Sequence, residues 1–178
     1  MGYVEPFGHA MVEAFLEEDG LRFLRDSDGD FIVQFGYDDE IDGHPRFLLA
    51  ISGDDDEQYC VRGDTLKRIP KSEWDKMMRL CNEWNALYKM PKVYLEVDDP
   101  NSSATGRVVC EQWIDFQAGV HQELVSQLTS TFFSACFGFW RWMVRQNELS
   151  ALTDPDAPET VGLDTPEEKP GPEEPEQP

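Results

Sequence analysis

Asp26, Asp28 and Asp30 stand at alternate positions of Asp26-Ser27-Asp28-Gly29-Asp30 and so match the first three oxygen-ligand positions of a calcium-binding EF-hand loop. The match stops there. Glycine falls at the fourth position instead of the sixth, and the twelfth is Tyr37 instead of a bidentate glutamate. A solvated hairpin turn is the expected role, and Asp54-Asp55-Asp56-Glu57 is read in the same way. Glycosidase chemistry needs paired carboxylates, one of them in an apolar setting that raises its pKa, and no pair is singled out here. Cys60, Cys81, Cys110 and Cys136 form no CxxC pair, which excludes a zinc knuckle and a thioredoxin-like motif. Each lies in an apolar stretch, where a free thiol behaves as a small buried hydrophobe. His9, His44 and His121 are scattered, with no local signature of a nucleophile beside any of them. Gly36, Gly43 and Gly53 fall at turns, not at helix starts, so no phosphate-cradling loop is present. No enzyme is indicated, and no metal or cofactor is expected.

The elements that carry these residues are marked by regular punctuation. Phe7–Glu18 has helical spacing through Met11, Ala14, Phe15 and Glu18, with Gly20 to stop it. Strand-like runs follow at Leu21–Arg25, Phe31–Phe35, Phe47–Ile51 and Tyr59–Arg62. Acid-and-glycine turns separate them, as in a meander of hairpins. Ser72-Glu73-Trp74-Asp75 approximates a capping box, and Trp74, Met77, Met78, Cys81, Trp84 and Tyr88 then mark one helical stripe, closed by Pro91. Val93, Leu95 and Val97 alternate with Lys92, Tyr94 and Glu96; Arg107–Phe116 alternates likewise. A last helix runs from about Gln122 to about Gln146. The order α-ββββ-α-ββ-α predicts an α+β fold, an antiparallel sheet flanked by helices.

That last helix carries two apolar stripes. Leu124, Leu128, Phe132, Ala135, Phe139 and Met143 make one, with Trp142 at its edge, and this is the expected core face. Phe133, Phe137, Trp140 and Val144 make a second, read as lying on roughly the opposite side. Three aromatics pointing outward would mark an interaction site, so these four residues are the candidate partner-binding set, with a homodimer as the expected outcome. The alternative is that the amino-terminal helix of the same chain covers them. A different alternative for function is a small-ligand sensor, with Trp74, Trp84 and Trp113 around an apolar pocket; packed core tryptophans would equally explain those three.

Charge sets further limits. The 178 residues hold 36 Asp and Glu against 15 Lys and Arg, a net charge of -21. Phosphate backbones and anionic membrane surfaces need clustered cations, so neither nucleic acid nor membrane is an expected partner. The acidity is read first as a means of keeping the protein soluble, and the alternative reading is electrostatic attraction of a basic protein or peptide partner. No run of eighteen apolar residues exists, and the first sixteen residues show no basic leader; together with unpaired cysteines this points to the cytoplasm. Composition divides the chain into a folded domain, 1–150, and a tail, 151–178, with seven prolines, nine acids and one lysine. So little apolar surface cannot offset the entropy of ordering, and the tail is expected to be disordered.

Several local features are similar to the YbjN family: Asn82-Glu83-Trp84-Asn85 followed by Pro91-Lys92-Val93-Tyr94, the Asp28-Gly29-Asp30 hairpin, and Ala118-Gly119-Val120 entering the last helix. They span roughly residues 7 to 146 and are turn and packing residues, none a catalytic signature. The resemblance implies a bacterial sensory-transduction regulator without defined chemistry. It also implies a fold like that of class I type III secretion chaperones, often dimeric. His121 departs from the Thr or Ser that family members often place at that helix cap. The expected function is a non-enzymatic regulatory or chaperone-like interaction module.

Overall fold

In the computed structural model, residues 3–153 are described, with side chains through Asn147. The chain opens with α1, His9–Glu18, and then lays down β1, Phe23–Arg25, β2, Phe31–Gln34, β3, Arg46–Ser52, and β4, Gln58–Asp64. A two-residue strand, β5 at Ile69–Pro70, precedes α2, Trp74–Leu87. The hairpin β6, Lys92–Glu96, and β7, Thr105–Asp115, leads to α3, Gln122–Thr153. All strand pairings are antiparallel: β1–β2–β3–β4–β7 in order, with β5 and β6 also pairing β7.

The α+β order read from the sequence is present, with β5 as an addition too short to show a period. Two local details differ. Ser72 lies in a 3-10 turn, Lys71–Glu73, and α2 starts without a side-chain cap, so the capping box is not formed. The last helix continues past Gln146 to Thr153, so the first three residues assigned to the tail are helical. Positions 154–178, the rest of that segment, lie outside the described residues.

Register decides what each sheet face carries, since side chains alternate along a strand. Phe31, Val33, Phe47, Leu49, Tyr59, Val61, Gly63, Val93 and Cys110 face one way and build the core with the helices. Phe15 of α1 meets Phe133 of α3, and Trp84 of α2 meets Phe139 of α3, which sets all three helices against this one face. Gln122 Nε2 donates to the Met11 carbonyl at 2.9 Å and ties α3 to α1. A buried polar pair in this layer is satisfied: Tyr59 Oη and Thr129 Oγ1 lie 2.9 Å apart, and Thr129 also donates to Val125 O.

The aromatic stripe of α3 is part of this core, which corrects the expectation that it faces outward. Phe133 is 8% exposed and stacks on Phe47 at 3.9 Å between ring centroids. Trp140 is 0% exposed and packs on Phe47. Phe137 meets Phe35 and Phe47 and is half-buried, as is Val144. The two stripes are the shoulders of one broad apolar face whose centre is Val125, Thr129 and Cys136, all buried. The cover comes chiefly from the sheet, not from the short first helix. Gly63 makes it possible: a Cβ there would sit 2.9 Å from Phe47 Cε1 and 3.4 Å from Trp140 Cη2.

Candidate functional site: the open face of the sheet

The opposite register of the same strands carries Leu24, Ile32, Arg46, Leu48, Arg62, Asp64, Arg107, Val109, Glu111, Trp113, Tyr94 and Glu96, of which Asp64, Val109 and Glu111 are buried, and among the described residues no helix crosses them. This face is charged but internally matched. Arg62 Nη2 donates to Glu96 Oε1 at 2.5 Å, and Arg107 Nε donates to Glu96 Oε2 at 2.6 Å. Arg62 also lies 3.7 Å from Glu111, which accepts hydrogen bonds from Tyr94 Oη at 2.7 Å and from Lys92 Nζ at 3.3 Å. Arg46 Nη2 donates to Asp64 Oδ2 at 2.7 Å.

Partial burial strengthens these pairs. Burial alone would raise the Glu96 carboxyl, but the hydrogen bonds from Arg62 and Arg107 outweigh it and hold that group below the ordinary carboxylate range. Burial and the Glu111 hydrogen bond push the Tyr94 hydroxyl up, so it stays protonated and donating. Beside the network, Ile32, Leu48, Val109, Arg46, Arg62, Arg107, Asp64 and Asp26 line a concavity of about 240 Å³. A second depression of about 500 Å³ adjoins Lys92 and Glu111 and is lined also by Lys89, Met90, Gln112 and Trp113. The Oε1 atom of Gln112 is buried and has no hydrogen-bond partner.

The residues singled out by sequence are distributed as follows. Asp26 Oδ1 accepts from the backbone N–H of Asp28 and Asp30, at 2.9 and 3.0 Å, closing its own hairpin. Asp30 Oδ1 accepts from Ile51 N–H at 3.0 Å. These carboxylates therefore hold turns and strands. Trp74 and Trp84 are buried on α2 under the core, while Trp113 is 57% exposed on β7, so the three do not line one pocket. Cys60, Cys81, Cys110 and Cys136 are free and buried. Burial pushes the Cys60 and Cys81 thiols up to about 12, far from the thiolate a nucleophile needs. His121 O accepts the first N–H bonds of α3, but its ring Nδ1 is buried without a partner and does not cap. Among the described residues, no group of three or more His, Cys, Asp or Glu is arranged to hold a metal ion, and no helix is long and apolar enough to cross a membrane.

Sequence reading missed Arg46, Arg62, Arg107, Glu96 and Glu111 as a unit. Their alternation in β3, β4, β6 and β7 was visible, but their convergence depends on the pairing of strands far apart in the chain.

The geometry is that of an α+β domain whose antiparallel sheet carries helices on one face and paired charges around apolar hollows on the other. The chain belongs to the YbjN family, described as "Putative bacterial sensory transduction regulator", whose model matches residues 9–144. Among solved structures it is similar to the crystal structure of YbjN, a putative transcription regulator from E. coli, at 10% identity and a TM-score of 0.63. That match covers 82% of this chain and 96% of the other, and at such low identity it speaks for the fold alone. No curated protein sequence matches the chain.

Proposed function

We propose that the chain is a non-enzymatic regulatory or chaperone-like module of bacterial type that holds a protein or peptide partner against the open face of its sheet. The observation that carries this reading is the asymmetry of the sheet: three helices cover one face, and the other presents Ile32, Leu48 and Trp113 among paired charges, with Val109 buried. Such a mixture of apolar hollows and preformed ion pairs is the composition of a protein-binding surface. The 240 Å³ concavity is smaller than the roughly 300–1,000 Å³ typical of small-molecule sites and suits one or two side chains. Because the charges on this face offset one another, the pull on a basic partner comes from the net charge of the whole chain. Four free thiols support a reducing cytoplasm. A homodimer formed through α3 would rest on Phe137 and Val144, since Phe133 and Trp140 are enclosed by their own sheet.

A small-ligand sensor is the second reading. It is favoured by the larger depression beside Trp113, of about 500 Å³, whose lining combines Met90 and Trp113 with Lys89, Lys92, Glu111 and Gln112.

Panning a random peptide library against the immobilised full chain tests the first reading. Enriched peptides should lose binding to Leu48→Asp and keep binding to Phe137→Ser. No enrichment, or binding that survives Leu48→Asp, would remove the open face as the docking surface.

A further inference from the structure

A smaller groove opens where α3 leaves the sheet. Ile41, Ile69, Met77, Met143 and Val144 supply its apolar lining, and its volume is about 200 Å³. Its rim carries Lys67, Arg68 and Lys76 against one acid, Glu73. Lys67 pairs with Asp42, and the other acid beside Ile41, Glu40, is held by Arg141 at 2.6 Å. Arg68 and Lys76 make no ion pair with any described residue. Asn147 also lines the groove, and its Oδ1 atom is buried with no hydrogen-bond partner. In a chain of net charge -21, this is a cationic rim around an apolar slot, with a vacant acceptor at one end.

We propose that this groove docks the chain's own acidic segment, residues 154–178, with Val161 and Leu163 entering the slot. Three observations select this occupant. The segment holds nine acids and one lysine, and its Val161-Gly162-Leu163 is bracketed by Glu159 and Asp164, the chemistry the rim and slot complement. Residues 1–150 carry -13, so most of the surface repels such a segment, whereas the rim with Arg68 and Lys76 attracts it beside an apolar slot. Reach is sufficient: six helical residues from Asn147 to Thr153 advance about 9 Å, and eight extended residues from Thr153 to Val161 can return about 26 Å. Covalent attachment keeps the segment at an effective concentration of order millimolar, enough for a weak site to be filled. Asn147 Oδ1 would then accept a backbone N–H from the docked segment. This surface is separate from the open sheet face and does not depend on the reading given for it.

Zero-length carbodiimide coupling of the full chain, mapped by mass spectrometry, tests the assignment. Carboxylates of 154–178 should couple to Lys76 and Lys67 well above Lys89 and Lys92. The yield should fall several-fold in a Val161→Ser/Leu163→Ser variant, and again at about 1 M salt, where the screening length shrinks to about 3 Å. Unchanged coupling in that variant would show a segment that is only nearby, and equal coupling to all lysines would show no site; either result overturns the proposal. Coupling between light and heavy chains in an isotope-mixed sample would place the segment on a second copy and overturn the intramolecular assignment.

Discussion

The two faces of this sheet are built from alternate residues of the same strands, yet they follow opposite rules. On the helical face Phe47 meets Phe132, Phe133 and Trp140, and specificity comes from shape. On the open face Arg46, Arg62, Arg107, Asp64, Glu96 and Glu111 hold one another in fixed geometry around small apolar hollows. One face is closed by burying apolar area, the dominant favourable contribution to folding. The other is kept from collapsing or aggregating by charges that are paired in advance, which leaves it soluble and still structured. Apolar packing and paired charge are thus separated by a single-residue alternation.

The comparison breaks first where the core is deepest. Trp140→Ala should lower unfolding free energy by about 3–5 kcal/mol in urea titrations. A loss under about 1 kcal/mol would mean that α3 does not rest on Gly63 and the stripe is available to a partner after all. Gly63→Val should cost about 1–3 kcal/mol, since the new side chain meets Phe47 and Trp140 where α3 passes close to β4. A neutral result would show that the helix can shift outward freely.

Glu96→Gln should cost about 2 kcal/mol, within the range for hydrogen bonds to charged groups, while leaving the core spectrum unchanged. Its pH dependence has a definite sign. The folded Glu96 carboxyl sits below its ordinary value, so its contribution is complete at neutral pH and disappears as pH falls through the folded value. Wild type should therefore lose more stability than Glu96→Gln between about pH 7 and about pH 3, across the usual carboxylate range near 4.3. Parallel curves would show that the Arg62–Glu96–Arg107 network adds nothing to the fold. The smallest effect belongs to Trp113→Ala, which should change stability by less than about 0.5 kcal/mol. A larger loss would make the open face part of the core.

Much of the architecture was legible because its cues are local. Asp-Gly turns bounded by alternating apolar residues gave β1–β4, and the stripe through Trp74, Cys81 and Trp84 gave α2. The direction of the α3 aromatics was not legible from the two stripes alone, because Val125, Thr129 and Cys136 fill the gap between them. With them included, the two stripes close into one face. Gly63 was the further clue, a glycine inside a strand with no turn to serve. The charge network on the open face could not be found in this way, since Arg62 and Glu96 are 34 residues apart and meet only through β7.

The placement of the five tryptophans gives the molecule its own optical labels. Trp140, Trp84 and Trp74 are enclosed on the helical side, while Trp113 stands exposed on the open side. Short-wavelength emission should follow the integrity of the helical layer, and the red-shifted component open to soluble quenchers should come chiefly from Trp113. Arrival of a binding partner on the sheet and loosening of the core would thus be separable by colour in one unlabelled sample.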